Sequence, residues 1–226
     1  MNLNNKVALV TGASSGIGKA TAVLLAKEGS QVALLGREAA ALQETEQEIA
    51  SVGGECLLTP ADVTHFEASR KAVEQTVARF GRLDILVNAA GIIATGSVAN
   101  TSLAVWQEIM RVNLDAVFQM IQLALPHLEK TRGSIINVSS VAGLRAFPNI
   151  LAYCVSKAGV DQLTRCVAVE LAPKGIRVNA VNPGVVVTNL HRRSGMDDEK
   201  YAHFLEHSKT THPLGRVGEP QEIAEA

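Results

Sequence analysis

Val7-Ala8-Leu9-Val10-Thr11-Gly12-Ala13-Ser14-Ser15-Gly16-Ile17-Gly18 is the stretch on which the fold turns. Consecutive apolar residues without polar alternation read as a strand buried on both faces. Glycines follow at once, and then a helical pattern through Ala20-Thr21-Ala22-Val23-Leu24-Leu25. At a strand-to-helix turn, glycines let the backbone approach a pyrophosphate, and the helix amino end stabilises its negative charge. The spacing is Gly-x-x-x-Gly-x-Gly rather than the tighter Gly-x-Gly-x-x-Gly fingerprint, and by itself it is a weak signal.

Outward from this stretch the same rhythm repeats. Strand-like runs at Val32-Ala33-Leu34-Leu35, Cys56-Leu57-Leu58, Ile85-Leu86-Val87, Ser134-Ile135-Ile136-Asn137-Val138 and Arg177-Val178-Asn179-Ala180-Val181 alternate with helical stretches. Those stretches fall near Ala39–Ser51, Ala68–Phe80, the long pattern Leu103–Leu128, and Val160–Leu171. Continuous apolar strands joined by helical crossovers predict one α/β domain over residues 1–226, a doubly wound parallel sheet with helices on both faces. Residues 188–217 break the rhythm with His191-Arg192-Arg193, Gly195-Met196-Asp197-Asp198, Tyr201, His203, Phe204 and His207. An insertion after a strand's carboxyl end reads as a substrate loop or lid, or as a plain surface excursion.

Composition narrows the function classes. The chain of 226 residues is 47% hydrophobic, 19% charged and 4% aromatic, with a net charge of -1. That balance gives no reason to expect nucleic acid or an anionic membrane as partner. The start runs directly into a strand without a signal peptide's layout, and no apolar run is long enough to span a membrane, so a cytoplasmic place is expected. Cys56, Cys154 and Cys166 show no CxxC spacing, and core filler is the expectation for Cys56 and Cys166. Cys154 follows Tyr153 directly. Trp106, Met110 and Met120 read as packing residues. No histidine has metal-ligand spacing.

Tyr153 and Lys157 stand one helical turn apart, with Ser140 thirteen residues before the tyrosine. An ammonium beside a phenol favours the phenolate and lowers a pKa that is ordinarily about 10. Bringing it near neutrality takes roughly 4 kcal/mol. A unit charge at ~4 Å and an effective dielectric of about 20 supplies that much. Tyr153 then exchanges a proton at neutral pH while the Ser140 hydroxyl holds the oxygen it works on. Tyr-x-x-x-Lys alone is equally a helical tyrosine beside a solvated lysine.

Taken together, the motifs resemble the short-chain dehydrogenase/reductase family over almost the whole chain. The resemblance rests on Thr11-Gly12-x-x-x-Gly16-x-Gly18, Asp62-Val63, Asn88-Ala89-Ala90-Gly91, Asn113, Ser140, Tyr153-x-x-x-Lys157, Pro183-Gly184 and Thr188. The one departure is Ala89, where the family commonly has a second asparagine. The resemblance implies a Rossmann fold and a carbonyl or secondary alcohol substrate, 3-oxoacyl thioesters above all, free or carrier-bound. It implies a homo-oligomer, dimer or tetramer, and assigns Tyr153 as acid or base and Ser140 as the substrate hydrogen bond. Lys157 then contacts the nicotinamide ribose and Asn113 helps hold a proton-relay water. The turn from Gly12 through Ser14, Ser15, Gly16, Ile17 and Gly18 holds the cofactor, with Asn88, Ala89, Gly91, Tyr153, Lys157, Pro183, Gly184 and Thr188 along the cleft. Asp62 and Val63 face the adenine, although Asp62 equally reads as a helix cap.

The acidic residue that would hold an adenosine ribose hydroxyl is replaced by Gly36, with Arg37 next. A missing acid and an adjacent guanidinium favour NADP(H) over NAD(H), although no basic residue at Ser14 or Ser15 reinforces this, and Arg37 equally reads as a residue facing water before a helix. His191-Arg192-Arg193 suits an acidic substrate or carrier, or is a solvated basic cluster. The rivals are an NAD-dependent alcohol or sugar dehydrogenase and, from another class, a nucleotide-binding regulator without catalysis. Relatives continue past a helix like Gly218–Ala226 with one more strand, so the chain is expected to lack that edge strand.

Overall fold

The computed structural model describes residues 3–226. Val7–Thr11 forms β1, buried along its whole length, and Gly16–Lys27 forms α1. β2 (Gln31–Gly36), α2 (Ala39–Ser51), β3 (Cys56–Pro60) and α3 (Phe66–Phe80) complete the first half. The second half runs through β4 (Ile85–Asn88), α4 (Leu103–Met110), α5 (Ala116–Thr131), β5 (Ser134–Val138), α6 (Val141–Leu144), α7 (Leu151–Leu171) and β6 (Arg177–Val181). All pairings are parallel, in the order β3-β2-β1-β4-β5-β6. The doubly wound sheet is therefore present, with β1 and β4 at the point where the winding reverses.

Side-chain alternation along each strand divides the core in two. Val7, Leu9, Ala33, Leu35, Leu86 and Ile135 pack with residues of α3, α5 and α7 on one face. Ala8, Val10, Val32, Leu34 and Val87 pack with Ala22 and Ala26 of α1 and Leu42 and Ile49 of α2 on the other. Met120 belongs to the first core, whereas Met110 and Trp106 are only half-buried. Cys56 packs half-buried against the second core. Cys166 is exposed, on the solvent side of α7, so the core role expected for it is corrected.

The long pattern from Leu103 is not one helix. A π-helical turn, Arg111–Asp115, separates α4 from α5 and holds Asn113 fully buried. Such a turn widens the helix by one residue and re-aims its side chains.

The stretch after Thr188 contains α8 (Leu190–Arg193) and α9 (Asp198–Thr211). Its two ends meet in a parallel bridge: Gly218 N donates to Val185 O and Val187 N to Gly218 O, both at 2.9 Å. α10 (Pro220–Glu225) then lies against α1. Among the described residues no helix is long and apolar enough to cross a membrane.

Candidate active site

Parallel strands bring their carboxyl ends to one rim, and every expected site residue lies at or near it. Gly12 and Gly16 both have positive φ, 67° and 54°, which glycine adopts without strain. A methyl group at Gly12 would stand 2.8 Å from Ala90 N, and one at Gly18 would stand 2.3 Å from Gly12 O. One at Gly16 would meet Thr188 Cγ2 at 3.1 Å. The turn is thus packed against itself, the β4 end and Thr188, with no room for side chains. Ser15 is the N-cap of α1 but caps nothing with its hydroxyl. A cradle of bare backbone before an uncapped helix start fits a pyrophosphate, so these residues suit a dinucleotide.

Thr11, the first residue of the glycine motif, ties this turn to β4. Its hydroxyl accepts from Ala89 N at 3.0 Å and Ala90 N at 3.1 Å. That tie does not use position 89's side chain, so alanine there leaves it intact.

The side chains of Asn88 and Val63 both turn inward. Asn88, in register with Asn137 on β5, is buried and donates to Asn137 Oδ1 at 2.9 Å. Asn137 donates in turn to Thr164 Oγ1 of α7 at 2.9 Å. The Asn88 amide therefore braces the rim from within. Val63 lies in the core with Ala72 and Val73 of α3. Asp62 does not cap α3, whose N-cap is His65. Its carboxylate accepts from Thr64 N at 2.9 Å and Thr64 Oγ1 at 2.8 Å. Burial raises its pKa, but those two bonds, and then the Arg37 charge, hold it below the ordinary range. Arg37 is exposed and near Asp62, and the buried Gly36 before it packs toward Ser14.

The four expected catalytic side chains converge. Ser140 is the N-cap of α6, its oxygen accepting from Ala142 N at 3.1 Å. Tyr153, buried on α7, packs with Ile93 and Ala142, and Leu190 of α8 leans on the same cluster. Lys157, also buried, donates from Nζ to Val138 O at 2.8 Å, and its Nζ is 5.8 Å from the Tyr153 ring centroid. A methyl group on Gly91 would stand 3.4 Å from Asn113 Oδ1 and 3.6 Å from Lys157 Nζ, which places all three together. Asn113 is clamped: Oδ1 accepts from Ile92 N at 2.9 Å, and Nδ2 donates to Ile92 O at 2.9 Å and Ser156 Oγ at 3.0 Å. Both amide hydrogens are spent, so only the second lone pair of Oδ1 is left for a water.

The lowered phenol pKa expected from the Tyr153–Lys157 step is corrected. Burial pushes the Tyr153 phenol above its ordinary value, and the Ser140 hydroxyl opposes that shift without reversing it. The Lys157 charge is not among the causes that set this shift. Burial also pulls Lys157 from 10.5 down to about 8, against the charge of Asp161. Asp161 was legible as the next four-residue step along α7 but was not read. Its two oxygens accept from Asn182 Nδ2 at 3.0 and 3.1 Å, and Asn182 Nδ2 also donates to Ser140 O at 3.0 Å.

Pro183 and Gly184 carry the chain from β6 toward the excursion. Pro183 O accepts from Val141 N at 3.0 Å, fixing the start of α6. Gly184 leaves room for His212, whose Nε2 accepts from Val185 N at 2.9 Å. Buried Tyr201 of α9 binds the Thr188 backbone on both sides, accepting from its N at 3.2 Å and donating to its O at 2.9 Å. Gly16, Lys19, Val187 and Thr188 share a shallow cleft with the Lys19–Glu48 ion pair, 2.7 Å. It flanks the glycine turn and holds none of the four expected catalytic side chains.

A winding reversal with a backbone cradle beside a serine, a tyrosine and a lysine defines a dinucleotide-dependent oxidoreductase. The chain belongs to the short-chain dehydrogenase family, whose model matches residues 6–199, and it acts on CH–OH groups. It is 40% identical to a cyclohexanol dehydrogenase of Acinetobacter sp. (strain SE19) over 98% of this chain and 86% of that protein. It is 38% identical to the 3-oxoacyl-(acyl-carrier-protein) reductase FabG of Thermotoga maritima over 100% of this chain and 89% of that one. Among solved structures it superposes on carveol dehydrogenase from Mycobacterium avium in complex with NAD. The TM-score is 0.92 at 30% identity, covering 99% of this chain and 90% of that one.

Proposed function

We propose that the chain reduces a ketone to a secondary alcohol with NADP(H), a 3-oxoacyl thioester or related ketone being the substrate class. The observation that carries this is the meeting of Ser140, Tyr153, Lys157 and Asn113 at the rim beside the glycine turn. Bound there, the dinucleotide supplies the hydride that the substrate carbon receives. Tyr153 is protonated at neutral pH and gives its proton to the substrate oxygen, while Ser140 donates a hydrogen bond to that oxygen. Lys157 has donors beyond the one given to Val138 O, and these bind the nicotinamide ribose and steady the phenolate left behind. Asn113 positions Ile92 and Ser156, and through its free lone pair holds the water that returns a proton. The preference for NADP(H) is supported by Gly36 in place of an acid and by exposed Arg37 beside it.

NAD(H) with an alcohol substrate is the second reading, favoured by the relative bound to NAD. The protein works as a cytoplasmic homo-oligomer in this proposal. Leu103 and Phe118, large apolar side chains 70% and 46% exposed on α4 and α5, support the association. The test is turnover of a panel of ketones and alcohols with each cofactor, alongside Tyr153→Phe. Turnover of 3-oxoacyl thioesters with NADPH, lost by several orders of magnitude in Tyr153→Phe with cofactor affinity kept, is expected. Activity with NADH alone overturns the cofactor preference, and an unimpaired Tyr153→Phe overturns the mechanism.

A further inference from the structure

We propose that Arg193 is a phosphate-binding residue of the dinucleotide site, a cation that the excursion after Thr188 delivers to the glycine-rich turn. The inference rests on the dinucleotide reading above. Arg193 Nη1 donates to Ser15 Oγ at 3.1 Å, across a sequence separation of 178 residues. Ser15 occupies the N-cap of α1, where a hydroxyl ordinarily accepts from the backbone of the first turn. Here the oxygen is turned to the guanidinium and the first turn is left uncapped. Cation and bare N–H groups thus converge on one point.

The charges around Arg193 are otherwise spent. Arg192 pairs with Asp198 at 2.9 Å, Lys200 with Asp197 at 2.8 Å, and Arg216 with Glu222 at 2.5 Å. Among the described residues, Arg193 has no carboxylate within ion-pair distance. A guanidinium carries five N–H donors in a planar fork, and a single bond to a neutral hydroxyl uses one. A phosphate offers two charged acceptors to that fork, and such charge-assisted bonds are about twice as strong as neutral ones. A phosphate arriving at the start of α1 therefore displaces the serine. Arg193 is exposed, so the exchange buries no stranded charge. The other cation beside the turn, Lys19, is already paired with Glu48 at 2.7 Å.

The exchange has a second consequence. Leu190, one turn before Arg193 on α8, packs into the cluster around Tyr153. Seating the guanidinium on a phosphate holds that wall against the reacting tyrosine. The phosphate is the bridging pyrophosphate or the 2′-phosphate of the adenosine; the chemistry is shared, and the experiment separates the two.

Dissociation constants for NADPH and NADH are measured by fluorescence titration on the intact chain, for wild type, Arg193→Gln, Arg193→Lys and Arg192→Gln. Arg193→Gln is expected to weaken binding about tenfold or more, as the loss of a charged hydrogen bond requires. Arg193→Lys should recover part of this. Arg192→Gln, the same change in charge one residue away, should change affinity by less than about threefold, as a screened surface charge does. Equal weakening for both cofactors assigns the pyrophosphate, and weakening of NADPH alone assigns the 2′-phosphate; both support the inference. Unchanged affinity of Arg193→Gln for both, or an equal loss in Arg192→Gln, overturns it while leaving the dinucleotide reading intact. Wild-type protein that binds neither cofactor sinks the two together.

Discussion

Replacing Lys157 by methionine should remove a specific pH dependence of stability. The wild-type ammonium is buried on α7, and burial lowers its pKa from 10.5 to about 8. The sign follows from proton counting. Between pH 8 and 10.5 the unfolded chain keeps this proton and the folded chain releases it. Stability therefore rises with pH across that window, and the penalty is largest below pH 8. At about 1.4 kcal/mol per unit, the full penalty is roughly 3 kcal/mol. Between about pH 7 and pH 9.5, linkage returns roughly 2 kcal/mol of it to the wild type. Lys157→Met also strips Val138 O of its donor, but that cost is the same at every pH. Urea unfolding of both proteins at several pH values should show wild type gaining on the variant by roughly 2 kcal/mol as pH rises over that range. A stability difference that stays flat from neutral to alkaline pH would mean that the ammonium is solvated, and the account of this site would fall.

Other outcomes follow from the same contacts. Gly18→Ala drives a methyl group to 2.3 Å from Gly12 O, so it should lower the unfolding free energy read from urea titration by roughly 1–3 kcal/mol and abolish dinucleotide binding. Thr11→Val removes the acceptor of Ala89 N and Ala90 N, and roughly 2 kcal/mol of stability should go with it in the same unfolding assay. Asp161→Asn withdraws the anion that supports the charged form of Lys157, so the alkaline limb of the pH–rate profile should move to lower pH; an unmoved limb would show that Asp161 has no such role.

The sheet was legible because its strands are written as unbroken apolar runs. Ser134–Val138 and Arg177–Val181 have the bounds read from sequence, although the second lies at the sheet edge and buries only Val178. The break between α4 and α5 was not legible. Leu103–Leu128 keeps a helical period throughout, and the π turn is fixed by Asn113 reaching Ile92, which is twenty-one positions away. The site residues were legible as types at spacings, but their electrostatics were not. A four-residue step puts Tyr153 and Lys157 on one face, yet says nothing of how dry that face is, and dryness decides the direction of both pKa shifts. The Asn88–Asn137 pair was hidden for a related reason: the two sit on different strands, and only the register between β4 and β5 makes them neighbours. Cys166 shows the reverse case, an apolar-looking residue on the outer side of α7.

The bridge between Val186 and Gly218 gives the excursion a closed neck. Because chain enters and leaves at one point on the rim, thirty-odd residues can be lengthened, shortened or exchanged without any strand having to move. Doubling such a loop costs only about 0.6 kcal/mol in closure entropy. Evolution, or a designer, can thus recut this segment while the sheet rim stays where it is.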